Sequence, residues 1–187
     1  SVVEVWEGQQ LDMNFEKRFI VRESEYLEMI KMKTSALFRI SCDGGVLIGG
    51  ADERVQKALR EYGTHLGLAF QIRDDYLDMS SDSETLGKDI GNDIRNGKKT
   101  IIAVHSLTHA KGEDQKVLTD IFGKETATAE DVNKVYAVFD HVGSIEYARK
   151  KAEEYSKLAK KSLDVLEDSD AKQVLLALAD YAMTREK

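Results

Sequence analysis

Proline is absent from all 187 residues, so no position forces a break in a helix. The single cysteine, Cys42, excludes an internal disulfide framework and fits a reducing, cytoplasmic compartment. Cys42 is expected to be a small packing residue. No apolar run approaches the length of a membrane span, and no signal peptide is visible. No basic stripe accompanies the net charge of −7, which argues against nucleic acid as a partner. Strand-like alternation, linkers, repeats and low-complexity segments are also missing.

What is present is helical. At 42% hydrophobic and 33% charged, the chain can bury one core. Spacing of apolar residues predicts helices over roughly 1–16, 24–41, 52–78, 98–109, 113–122, 129–139, 144–167 and 170–184, in one all-α domain. In the helix from Ser144, Ile145, Ala148, Ala152, Tyr155, Ala159 and Leu166 recur at three or four, with Gly143-Ser144 as stop and N-cap. Thr128 and Asp131 ahead of Val132 form a candidate capping box.

Asp74-Asp75-Tyr76-Leu77-Asp78 puts three carboxylates within little more than one helical turn. With Gln71 at zero, Asp75 falls at about +40°, Asp78 at about −20° and Asp74 at about −60°. The apolar stripe of Val55, Leu59, Tyr62, Leu66, Phe70 and Leu77 borders them. Carboxylates about 5 Å apart repel by roughly 3 kcal/mol at an effective dielectric near 20, and a helix C-terminus is the wrong pole for them. Either water bathes this edge or a cation sits on it. With 34 acids in the chain, the pattern alone does not make a site.

The residues that follow strengthen it. Ser80 to Thr100 is polar and glycine-bearing, with the composition of a loop, and it returns Lys88, Lys98 and Lys99 toward the acidic end. Acids followed by lysines suit a polyphosphate held through Mg²⁺, which takes hard oxygen ligands from protein, water and phosphate. Two other motifs fail on spacing. Gly91 and Gly97 have five residues between them, and Lys99 follows Lys98, so there is no nucleotide P-loop. A calcium loop from Asp75 would have Leu77 at its third position and Ser80 at its sixth. His105 and His109 lie one turn apart, but Ser106 stands where H-E-x-x-H needs glutamate, which favours a packed or solvated pair.

Several motifs in order resemble the trans-isoprenyl diphosphate synthases, the polyprenyl synthetase group. Gly8-Gln9-Gln10-Leu11-Asp12 is similar to the family's G-Q-x-x-D helix, and Lys33-Thr34-Ser35-Ala36-Leu37-Phe38 to its K-T-x-x-L-F helix. Gly67 through Asp78 resembles its second aspartate-rich motif. Gly87-Lys88, Gly91-Asn92-Asp93 and Gly97-Lys98-Lys99-Thr100 resemble the loop beyond it. Weaker likeness runs through Gly143–Ala148 to Arg185. The family's first aspartate-rich motif and N-terminal basic residues have no counterpart, so the chain is expected to be the C-terminal part of a longer enzyme, inactive by itself. Asp89 stands where the family often has proline.

The resemblance implies a helical bundle of the isoprenoid synthase type and a Mg²⁺-dependent prenyltransferase, expected to be a homodimer. Such an enzyme joins an allylic diphosphate to isopentenyl diphosphate. It further implies Asp74, Asp75 and Asp78 at the metal, with Asp75 a ligand or a support behind one. Lys33, Lys88 and Lys98 would contact diphosphate oxygens, and Gln71 and Thr34 would offer dipoles to the allylic cation. A related terpenoid synthase, or a non-catalytic subunit of a two-component synthase, would carry some of the same motifs. Gly63 and Gly67 line up with the acid edge, where either the growing hydrocarbon or a facing helix could pass. The first of these would let Gly67→Leu slow turnover or shorten product with little loss of folding.

Overall fold

A computed structural model describes residues 2–80 and 91–185. The predicted all-α class is what it contains, with no strand among the described residues. Helix α1 (Val2–Glu16) leads to α2 (Glu23–Ile30), which runs without interruption through a π-turn (Lys31–Ser35) into α3 (Ala36–Ile48). The long α4 (Glu53–Ser80) is followed by a helical stretch over 91–96, then α5 (Ile101–His109), α6 (Gly112–Ile121) and α7 (Ala129–His141). Helix α8 (Ser144–Ser162), a short 3-10 turn (Leu163–Val165) and α9 (Asp170–Thr184) complete the order.

Helix α4 is the axis, packed between α3 and α8. Toward α8 it presents Tyr62, Leu66, Ala69 and Ile72, all essentially buried. Helix α8 answers with a small-residue stripe, Ala148, Ala152, Ser156 and Ala159, equally buried. With almost nothing beyond Cβ on that stripe, the two backbones approach closely and still exclude water. Phe139, Ile101, Ile102, Leu118 and Val135 extend one core across α5, α6 and α7, and Leu163 and Ala179 join a second under α9.

Toward α3 the approach is closer still. A Cβ at Gly67 would lie 2.5 Å from Ser35 Cα, and one at Gly63 would lie 2.9 Å from Arg39 Cα and from the Phe38 carbonyl. A facing helix therefore occupies the line of these glycines, not a hydrocarbon. The expectation that Gly67→Leu would fold with little loss is overturned, because its side chain would have to enter the backbone of the π-turn at Ser35.

The π-turn is defined by Ala36 N–H reaching the Lys31 carbonyl, five residues back. Such a turn holds one residue more than an α-helical turn. It is also the point where α1 docks, since a Cβ at Gly8 would lie 2.5 Å from the Lys33 nitrogen.

Several predicted boundaries move. Helix α3 continues past the predicted end at Ser41 to Ile48 despite Gly44 and Gly45, because Val46 is buried and Asp43 pairs with Arg60 of α4 at 3.0 Å. Lys98 and Lys99 precede a helix instead of starting one. Extended Thr100 caps α5, its hydroxyl accepting from Ala103 N–H at 3.2 Å. Residues 91–96 are helical where the composition suggested only loop, anchored by buried Ile94. The α8 N-cap is Gly143, in the left-handed region at φ 75°, and not Ser144, whose buried hydroxyl turns inward to Ser106 at 2.6 Å. The Thr128–Asp131 capping box is present as expected.

Candidate functional site

Of the predicted residues, Lys33, Gln71, Asp75 and Lys98 meet where α1, α2, the π-turn and α4 face the segment leading into α5. Asp12, Tyr26, Lys33, Gln71, Asp75 and Lys98 line a cavity of about 70 Å³ there. Four elements distant in sequence thus bring opposite charges to one wall. Lys33 Nζ donates to Asp12 at 2.6 Å, and Lys98 Nζ donates to Asp93 at 3.0 Å. Burial works against the charge on Lys98, but Asp93, Asp75 and Asp12 outweigh it and raise its pKa. Burial raises the pKa of Asp93, with Asp78 and Asp12 adding to the push against Lys98.

The three acids of the aspartate-rich motif separate. Asp75, 6% exposed, turns into the protein. Its Oδ2 accepts from the Tyr26 hydroxyl at 2.7 Å and from Ile101 N–H at 3.1 Å. Its Oδ1 accepts from Gln71 Nε2 at 3.3 Å. Burial nevertheless pushes its pKa up to about 6, the hydrogen bonds and Lys98 recovering only part of the loss. Asp74 faces the other way and pairs through Oδ1 with Arg185, whose guanidinium lies 4.1 Å from the Phe70 ring centroid. Asp78 is exposed one turn further on. Among the described residues no three His, Cys, Asp or Glu side chains converge on a point that could hold a metal. Asp74 and Asp78 stay within reach of solvent, while both oxygens of Asp75 are engaged. This donor set fits a cation that takes most of its ligands from water and phosphate, with Asp75 behind the others.

Thr34 lies in the π-turn, and its hydroxyl donates to Gln71 Oε1 at 2.8 Å. Lys99 is 2% exposed, and burial lowers its pKa to about 8. Lys88 lies outside the described residues. His105 is a packed side chain, stacked at 4.1 Å on both His109 and Tyr147 and bonded through Nδ1 to Ser144 Oγ at 2.9 Å. Cys42 is half-buried and lines a separate apolar groove of about 730 Å³ between α3, the start of α4 and α9.

Tyr26, Ile101 N–H and the Arg185 partnership were not assigned from sequence. For Tyr26 part of the signal existed. It shares a stripe with Met29 and Ile30, and a tyrosine on a buried stripe needs a partner for its hydroxyl. Nothing in the order of residues says that Asp75 supplies it.

A sequence profile described as polyprenyl synthetase matches residues 1–139. A short chain isoprenyl diphosphate synthase of Methanothermobacter thermautotrophicus is 44% identical over the whole chain, which covers 57% of that protein. A geranylgeranyl pyrophosphate synthetase from Pyrococcus horikoshii superposes with TM-score 0.87 at 42% identity, covering 98% of this chain and 55% of that one. A polyprenyl synthase from Caulobacter crescentus, solved with calcium and isoprenyl diphosphate, gives TM-score 0.88 at 30% identity, covering 98% and 56%. The chain spans a little over half the length of the relatives it matches.

Proposed function

The chain belongs to the polyprenyl synthetase family, and on that premise we propose that it carries the diphosphate-ionising site of a prenyltransferase. The enzyme condenses an allylic diphosphate with isopentenyl diphosphate into a longer trans-polyprenyl diphosphate. The observation that carries this reading is the convergence of Lys33, Gln71 and Lys98 on one wall beside Asp12 and Asp75, with Thr34 bonded to Gln71.

Each residue has a task that follows from its chemistry. Lys33 and Lys98 exchange their aspartate partners for diphosphate oxygens and neutralise part of the leaving group, with Lys88 as a third cation. Asp74 and Asp78 are the carboxylates that would hold Mg²⁺, the hard cation whose charge stabilises departing diphosphate. The Caulobacter polyprenyl synthase is complexed with calcium and isoprenyl diphosphate, which supports a divalent-cation site of this kind. Gln71 Oε1 and Thr34 Oγ1 present the negative ends of dipoles to the allylic cation, and neither is basic enough to trap it. Asp75 holds position from behind. No step requires an imidazole, and His105 is committed to packing.

No described helix is long and apolar enough to cross a membrane, and the reading keeps the protein in the cytoplasm. Helix α1 exposes Val2, Val3 and Trp6, which supports assembly as a homodimer. The test is condensation by the complete natural protein of isopentenyl diphosphate with C5 to C20 allylic diphosphates, read by product chain length. Elongated products that vanish in Asp74→Ala and in Lys33→Ala are expected. Absence of any condensation by the parent protein defeats the reading.

A further inference from the structure

Gln71 is useful to a cation only if it offers its oxygen and not its NH₂ edge. An amide is nearly symmetric in shape, so its facing must be fixed by its neighbours. Thr34 cannot do this, because a hydroxyl can donate to the oxygen or accept from the NH₂ equally well. Asp75 can. An ionised carboxylate accepts and does not donate, so Oδ1 takes the NH₂ edge of Gln71 and sends Oε1 the other way, toward Thr34 in the π-turn. At 3.3 Å that hydrogen bond is the longest of the set, so it relies on a carboxylate that does not rotate.

The carboxylate is held at its other oxygen. Oδ2 receives the Tyr26 hydroxyl from α2 and the first free N–H of α5, at 2.7 Å and 3.1 Å. Two donors from different helices fix both the position and the plane of the group. Tyr26 is 1% exposed, so no water competes for its hydroxyl. Tyr26 lines the cavity, gives its hydroxyl to Asp75 and has no second polar group to offer a ligand.

Resting on the prenyltransferase reading, we infer that Tyr26 is a positioning residue: it clamps Asp75 so that Gln71 is locked with its amide oxygen toward the developing allylic cation. Without the clamp the carboxylate turns, the amide is released, and an NH₂ group can face the positive charge. Ionisation then slows while the lysines still bind diphosphate. The predicted signature is a loss in kcat without a matching change in KM.

The test compares the complete natural protein with Tyr26→Phe, Gln71→Leu and the double variant. Steady-state kinetics use both diphosphate substrates over a range of Mg²⁺. In parallel, ¹H–¹⁵N spectra follow the Gln71 side-chain amide, assigned by its loss in Gln71→Leu. Tyr26→Phe should lower kcat about tenfold or more, with KM and Mg²⁺ dependence within about twofold, since small misplacements of a positioning group carry penalties of this size. In the Gln71→Leu background the same change should have no further effect, and the amide pair should move in Tyr26→Phe. Additive losses, a change carried by KM or by Mg²⁺, or an unmoved amide pair each overturn the assignment. If the parent protein does not join the two substrates, the prenyltransferase reading fails by itself, and the amide spectra decide the clamp. Should Tyr26→Phe not fold, Asp75→Asn, which keeps the native shape, carries the same expectations for kcat in the Gln71→Leu background and for the amide.

Discussion

Adding one methyl group at Gly67 or at Gly45 should move stability in opposite directions. Both glycines lie inside helices, so replacing either by alanine gains about 1 kcal/mol of intrinsic helix propensity. At Gly45 nothing lies within 4 Å of the new Cβ, and the gain stands. At Gly67 the new Cβ would lie 2.5 Å from Ser35 Cα, 2.7 Å from its Oγ and 2.8 Å from its Cβ. Carbon atoms rest at about 3.5–4.0 Å, so the π-turn and α4 must part locally by about 1 Å. Overpacking of this kind costs about 1–3 kcal/mol, and more where backbone must shift. Ser35 leaves no flexible end to give way, which puts Gly67→Ala at the upper limit. After the propensity gain, about 2 kcal/mol of net loss remains. For a chain of this size that is a fall in Tm of about 4–8 °C, against a rise of about 2–4 °C for Gly45→Ala. Thermal melts followed by far-UV circular dichroism, repeated in urea, measure both. If Gly67→Ala melts at or above the parent protein, the close approach of the π-turn to α4 is wrong.

Asp75→Asn should stabilise the fold at pH 7 by about 1–3 kcal/mol while impairing turnover. The native pKa of Asp75 is raised to about 6, so its contribution is fully present at low pH and is lost as pH rises from about 4 through 6; Tm against pH should lose that slope in the variant, and an unchanged slope refutes the assignment. Lys33→Met and Lys98→Met should each weaken binding of inorganic diphosphate with Mg²⁺ about tenfold by calorimetry, and unaltered affinity would remove that lysine from the site. Gly97 has φ 69°, and a Cβ there would lie 3.1 Å from Gly123 Cα. Gly97→Ala should therefore lower the urea midpoint by the equivalent of about 1–2 kcal/mol or more.

The helices were legible because their stripes are regular and no proline interrupts them. Ala148, Ala152 and Ala159 sit at the spacing that buries one face, and the structure buries them. Ends were legible only where a side chain decides them, as Thr128 and Asp131 do. The helix predicted to end at 41 runs on to Ile48, held by burial of Val46 and by the Asp43–Arg60 pair, neither of which spacing alone shows. The lysines and acids of the site were visible as types and spacings. Their division of labour was not, because it depends on which helix lies over each face of α4. Asp74 and Asp75 are neighbours in sequence, yet one meets Arg185 near the end of the chain and the other meets Tyr26 near its beginning. A helical wheel gives each carboxylate a direction, but it cannot say whether solvent or a tyrosine waits there.

The surplus residue between Lys31 and Ser35 makes chain length there a functional quantity. Wound as an unbroken α-helix at the same length, the segment would swing everything upstream by about 100° relative to everything downstream. Tyr26, Met29 and Ile30 would then quit their seats in the interior, or Phe38 and Cys42 would. Deleting one of the five would let the other four close an ordinary α-turn with both groups still seated, but would remove the widened turn that presents Lys33 and Thr34. Among related sequences, a one-residue deletion at this point therefore changes how those two side chains are offered and leaves the flanking helices in place.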